Sequence, residues 1–175
     1  MELYLLRHGI AADLGEGGVV RDADRPLTQE GWKKMREAAA GMRRLGLEFD
    51  YIFTSPYVRT RQTTEAVVEA LEFDADKVIT IDALAAGRPF ARAVSPKADV
   101  FIEIGAYNFE RALIVGHMPD LSEMASVLLS GTGAVNVEFK KGAVCAIAIS
   151  GLPPRVPGAL LWMMTPKQLR MIAQD

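Results

Sequence analysis

Residues 1–9 read MELYLLRHG, in which Leu3-Tyr4-Leu5-Leu6 runs straight into Arg7, His8 and Gly9. A run that is apolar at both alternating positions predicts a short strand buried on both faces, the kind found inside a parallel sheet. The glycine-rich Gly15-Glu16-Gly17-Gly18 that follows cannot continue regular structure and predicts a loop leaving the C-terminal end of that strand. A buried strand that ends on a cation beside an imidazole needs a reason, and the rest of the chain supplies one.

Downstream, Thr28 offers an N-cap, Gln29 and Glu30 fill a first turn, and Trp32, Met35, Ala39, Met42 and Leu45 recur at helical spacing until Gly46 stops the run. Asp50 to Thr54 predicts a second strand ended by Ser55-Pro56, followed by a helix over about Val58 to Leu71 with Val67, Ala70 and Leu71 on its apolar face. Val78 to Ile81 reads as a strand near an edge and Lys97 to Tyr107 as a helical segment. Ala112 to Val115 is a fourth strand, ending at Gly116-His117, and Pro119 to Leu129 a helix with the proline in its first turn. The pattern then becomes strand-rich: Val135 to Phe139 alternates, Val144 to Ile149 and Leu160 to Met164 are apolar runs, and a short helix starts at Pro166.

Strands alternating with helices over the first 130 residues or so predict a mainly parallel sheet covered on both faces, an α/β/α sandwich whose last strands add an antiparallel edge. The 175 residues fit one domain spanning 1–175, with no internal repeat or interdomain linker. A formal net charge of -2 gives no global basic footprint, which argues against nucleic acid as a partner and requires any anion site to come from a local cluster of cations. The single Cys145, inside an apolar run, reads as a small buried hydrophobe, since one cysteine makes neither an internal disulfide nor a thiolate metal cluster. Leu3 to Leu6 is too short for a secretory signal and no apolar run is long enough to span a bilayer, so the expected setting is cytoplasmic and away from membranes.

In open α/β sheets ligands bind beyond the carboxyl ends of the strands, and here those positions are polar. Arg7-His8-Gly9 follows the first strand, Ser55-Pro56 and then Arg59 the second, and His117 the fourth. Parallel strands would bring these groups to one rim. Both histidines of the chain fall there, each directly after a predicted strand. One such histidine reads as a hydrogen-bonded structural residue; two flanked by Arg7 and Arg59 need a ligand that offsets the repulsion among cations, and a phosphate dianion does so. Neutral imidazole can attack phosphorus in line while guanidinium groups stabilise the equatorial oxygens. The chain carries no P-loop, no His-x-Glu or Cys-x-x-Cys metal pattern and no Gly-x-Ser-x-Gly elbow, so the expected chemistry uses no metal and no cofactor.

Four segments in order, LLRHG at 5–9, RPLTQEG at 25–31, SPYVRTRQT at 55–63 and VGHMPDLS at 115–122, together with TPKQLR near the end of the chain, resemble the histidine phosphatase superfamily in its SixA-like phosphohistidine phosphatase branch. The resemblance implies a phosphoglycerate-mutase-like fold, His8 as the phosphorylated nucleophile, and Arg7, Arg59 and His117 as the phosphate pocket. Arg25 matches the arginine of the family's Arg-Pro-Leu-Thr segment and is a candidate substrate-binding residue at the pocket rim, with a solvated loop cation as the equal alternative. Arg61 falls on a variable position, and Ser55 and Thr63 match positions read as shaping the turn and the start of the helix. Gly9 is read as small enough to let substrate approach.

One departure bears on substrate. Mutase and monoesterase members place a glutamate beyond the third strand as proton donor, whereas this chain has Leu84-Ala85-Ala86-Gly87 there. An alkoxide leaving group needs a proton in the transition state, whereas a protonated imidazole leaves readily. The expected substrate is therefore phosphohistidine or another phosphoramidate, with a histidine-containing phosphotransfer protein as a candidate carrier. Two other readings stay open: a phosphatase of small phosphomonoesters with Asp82 or Asp120 as the acid, and a phosphoryl-binding module without turnover.

Overall fold

The computed structural model describes residues 1–86 and 98–174, with the side chains of 98 and 99 excluded. Among these residues the elements are β1 (Glu2–Arg7), α1 (Gln29–Arg44), β2 (Tyr51–Thr54), α2 (Val58–Leu71), β3 (Val78–Thr80), α3 (Ala98–Gly105), β4 (Arg111–Gly116), α4 (Asp120–Ser130), β5 (Val144–Ala148), β6 (Ala159–Met164) and α5 (Pro166–Ile172). Lys97 and Gly87, which the sequence reading included in a helix and in the segment beyond the third strand, lie outside the described residues.

The sheet has the order β3-β2-β4-β1-β5-β6. β3, β2, β4 and β1 are mutually parallel, and β5 pairs antiparallel with both β1 and β6. Alternate residues of β1 enter different cores: Leu3 and Leu5 pack with Ile104, Leu121 and Leu128, while Tyr4 and Leu6 pack with Met35, Met42, Val67 and Leu169. Helices α3 and α4 therefore cover one face and α1, α2 and α5 the other, the three-layer mixed α/β arrangement of phosphoglycerate-mutase-like proteins.

Local chemistry sets the boundaries. Thr28 caps α1 by accepting from the Gly31 N–H at 2.9 Å, and Thr165 caps α5 in a reciprocal box with Gln168. Gly31 and Gly41 let α1 approach its neighbours, since a Cβ there would meet the carbonyl oxygens of Ile10 and Leu169 respectively. Leu45, counted on the apolar stripe of α1, is exposed at the helix end instead.

Val135 to Phe139 is not a strand. Its alternation reports burial of Val137 and Phe139 in the core beside α4, without any ladder partner. The segment's polar backbone is used otherwise: the Val135 N–H donates to Ser126 Oγ, and the Phe139 carbonyl accepts from the Arg7 guanidinium. Alternation records which side chains are buried, and says nothing about what the backbone pairs with.

Candidate active site

The topology gathers the site. β4 lies between β2 and β1, so the residues just past three adjacent parallel strands stand side by side as Ser55, His117 and His8. The register is held past the strand ends: the His8 N–H donates to the Gly116 carbonyl at 3.1 Å and the Ser55 N–H to the Val115 carbonyl at 3.2 Å. On the other side of β1, the Gly142 N–H donates to the carbonyls of Arg7 and His8 at 3.0 and 3.2 Å. Gly142 has φ 82°, the left-handed region that a side chain disfavours, so this clasp on the β1 terminus depends on glycine.

His8 is 7% exposed. Its Nδ1 lies 2.7 Å from the Gly9 carbonyl oxygen, which can only accept, so Nδ1 carries the proton and Nε2 carries the lone pair. Arg59, 4% exposed in the first turn of α2, directs its Nε–H at Nε2 of His8 from 3.3 Å. Burial pushes the His8 pKa down from 6.5 to about 3; the Gly9 hydrogen bond opposes this, and the charges of Arg59, Arg7 and Lys141 add to it. The ring is therefore neutral at neutral pH, with its unprotonated nitrogen turned to Arg59.

Arg7 spends Nη1 on the Phe139 carbonyl at 2.5 Å, while its Nε is buried and makes no hydrogen bond among the described residues. Burial lowers its pKa from the ordinary value, opposed by Glu138. A donor of this kind is costly to bury unless a ligand takes it. The ring centroids of His8 and His117 are 5.2 Å apart, and His117 Nε2 is 2.8 Å from Ser55 Oγ. Tyr57 stands between the second histidine and the second arginine, its ring centroid 5.0 Å from that of His117 and 4.9 Å from the Arg59 guanidinium carbon. Its hydroxyl donates to the Ala86 carbonyl at 3.2 Å, which brings the segment lacking the glutamate against the same wall.

The structure places His8, Arg59 and His117 together, and Arg7 precedes His8 in the chain with its charge acting on that ring. Arg61 is exposed. Arg25 is turned to its own loop: Nε donates to the Ala12 carbonyl, Nη1 to Asp22 Oδ1 and Nη2 to Asp13 Oδ1, at 2.5, 2.9 and 3.4 Å. Of the two carboxylates weighed as acids, Asp82 is exposed on a single 3₁₀ turn and Asp120 is buried in the first turn of α4.

The structure gives Gly9 a packing role: a Cβ there would lie 2.6 Å from Met35 Cγ and 3.2 Å from Leu27 Cδ2, so a side chain fits at the β1 terminus only if α1 and Leu27 give way. Two further contacts escaped the sequence. Ser55 touches His117 directly, and Asp22 holds Arg59 through its side chain at 2.9 Å and its carbonyl at 2.6 Å. Nothing in Arg21-Asp22-Ala23-Asp24-Arg25 distinguishes this aspartate from a solvated loop charge. Among the described residues no three His, Cys, Asp or Glu side chains are grouped to hold a metal ion, and no helix is long and apolar enough to cross a membrane. Burial pushes the Cys145 thiol up to about 12, an inert buried side chain.

At the carboxyl ends of the parallel strands stands a neutral imidazole whose unprotonated nitrogen accepts from the Arg59 guanidinium, with a second histidine beside it. The chain belongs to the histidine phosphatase superfamily, whose branch 1 model matches residues 3–86. It is 32% identical over 157 residues to an uncharacterized protein of Picosynechococcus sp., covering 84% of each chain. It is 24% identical to the phosphohistidine phosphatase SixA of Escherichia coli over 178 residues, 98% of each. In fold it is similar to the protein histidine phosphatase SixA complexed with tungstate, with a TM-score of 0.77, 23% identity and coverage of 97% of this chain and 99% of that one.

Proposed function

We propose that the protein is a metal-independent phosphatase that works through a phosphohistidine on His8 and removes phosphate from phosphohistidine, presented by a histidine-containing phosphotransfer protein. The observation that carries the reading is the pair of contacts on one ring: Nδ1–H on the Gly9 carbonyl and bare Nε2 facing Arg59.

The steps follow from that ring. The Nε2 lone pair forms a bond to phosphorus as the bond from phosphorus to the leaving imidazole breaks, and that imidazole, protonated on its far nitrogen, departs neutral. His8 now carries phosphate on Nε2 and a proton on Nδ1, and so is cationic; the Gly9 carbonyl receives the more polarised N–H. Arg7, Arg59 and His117 surround the equatorial oxygens and stabilise charge there. Water then attacks phosphorus and releases its proton to solvent, and the N–P bond breaks to return neutral His8.

The substrate choice rests on the segment that Tyr57 anchors. Leu84, Ala85 and Ala86 carry no carboxylate, so the leaving group receives no proton from that wall. Asp120, buried three residues after His117, is the feature that supports small phosphomonoesters as the alternative. Turnover of a phosphohistidine peptide and of sugar phosphates, measured side by side in the presence of a chelator, separates the two: faster hydrolysis of the peptide is expected, and faster hydrolysis of the sugar phosphates would reject the reading.

A further inference from the structure

The β1–α1 loop ends in Arg21-Asp22-Ala23-Asp24-Arg25, and its two acids are used differently. Asp24 pairs with Arg21 in an exposed i,i+3 bridge of the ordinary surface kind. Asp22 reaches inward to Arg59, whose side chain is only 5% exposed.

The geometry of that contact is specific. A guanidinium offers two bidentate edges, the end edge formed by Nη1 and Nη2 and the side edge formed by Nε and Nη2. Asp22 takes the end edge, its carbonyl accepting from Nη1 and its Oδ2 from Nη2 at 2.6 and 2.9 Å. The Nε–H points at His8 Nε2, and the second hydrogen on Nη2 lies beside it, so the side edge faces the nitrogen to which phosphorus would be bonded. Asp22 Oδ1 is in turn held by Arg25 Nη1 at 2.9 Å, and Arg25 is fixed on the Ala12 carbonyl.

We propose that Asp22 is a positioning residue that fixes the far edge of Arg59, so that its near edge meets two phosphoryl oxygens on His8, and that Arg25 acts one step further back by holding Asp22. This rests on the reading of His8 and Arg59 as a phosphoryl site. Without the carboxylate a nearly buried guanidinium keeps its charge and loses the contact that sets its angle. Asp22 is ill suited to be a proton donor, because a guanidinium occupies each of its oxygens. Burial acts to raise its pKa, but the hydrogen bonds and charges of Arg25 and Arg59 outweigh this and hold it below the usual value.

The test is a double-mutant cycle with Asp22→Asn, which keeps the side-chain shape and the backbone carbonyl, and Arg59→Ala. Alone, Asp22→Asn is expected to lower kcat on an aryl phosphate about tenfold, the scale of one charge-assisted hydrogen bond, with a smaller change in KM. In the Arg59→Ala background it should cost nothing further. Arg25→Lys should give a weaker loss that also vanishes in that background, and Asp24→Asn should leave turnover unchanged. The proposal is overturned if Asp22→Asn costs the same factor without Arg59, if its cost grows with the leaving-group pKa across a series of aryl phosphates, or if Asp24→Asn is equally harmful. Should the native protein release no phosphate, the catalytic reading fails instead, and the same cycle read on the affinity for inorganic phosphate decides the positioning role. Loss of coupling there would overturn it.

Discussion

Arg59 presents its Nε–H to Nε2 of His8 across 3.3 Å, with both side chains nearly excluded from water. The donor is preorganised where equatorial phosphoryl oxygens would gather charge, so Arg59→Ala is expected to lower turnover of an aryl phosphate on the order of 10²-fold or more. Arg61, two residues on and exposed, should tolerate alanine with little effect. Steady-state kinetics on both variants checks the pair, and the reverse order of losses would contradict the assignment.

The neutral state of His8 has a cost that depends on pH. The unfolded chain protonates this ring near 6.5, whereas the folded protein does so only near 3. Between those values the unfolded state binds a proton that the folded state refuses, so this ring makes stability fall as pH drops through the window. Above 6.5 both states are neutral at His8 and the dependence disappears. His8→Asn should therefore flatten the decline in urea stability between pH 6 and pH 4, by up to about 1.4 kcal/mol per pH unit. Parallel stability curves for the two proteins would contradict the depressed pKa.

Gly9→Ala is expected to destabilise the protein by about 1–3 kcal/mol, the usual cost of overpacking, because the new methyl meets the Met35 and Leu27 side chains. Shortening the obstacle should help: Gly9→Ala combined with Met35→Ala should recover activity relative to Gly9→Ala alone, although the second change opens a cavity of its own. Thermal melts and turnover on the three variants test this. No recovery in the double variant would mean that Gly9 acts through something other than its contact with α1.

Ser55→Ala removes the oxygen 2.8 Å from His117 Nε2 and leaves a buried ring nitrogen to reorient. A loss of roughly tenfold in turnover is expected, with stability reduced by about 1 kcal/mol. Thr should replace Ser better than Ala does, since it retains the hydroxyl. Turnover in Ser55→Ala equal to that of the native protein would show that His117 does not depend on this contact.

Much of this was legible in residue order because it depends on local rules. Apolar runs, Thr28, Gly46 and Pro166 mark elements by their own chemistry, and parallel β1, β2 and β4 then bring His8, Ser55 and His117 together without further information. What escaped depends on tertiary context. Val137 and Phe139 alternate like a strand, yet only the fold reveals that the Phe139 carbonyl serves Arg7. Asp22 resembles Asp24 in sequence and differs only in which arginine it reaches. Gly9 is explained by Met35, 26 positions away in the chain.

The central claim is a phosphoryl group on Nε2 of His8, and trapping it is the most direct measurement. The protein is mixed with a phosphohistidine peptide labelled in phosphorus, quenched in alkali within one turnover, and mapped by mass spectrometry. The account predicts a label on His8 that is stable to base, labile to acid and absent in His8→Ala. Phosphate release at the native rate with His8 unlabelled, or undiminished release by His8→Ala, would contradict it.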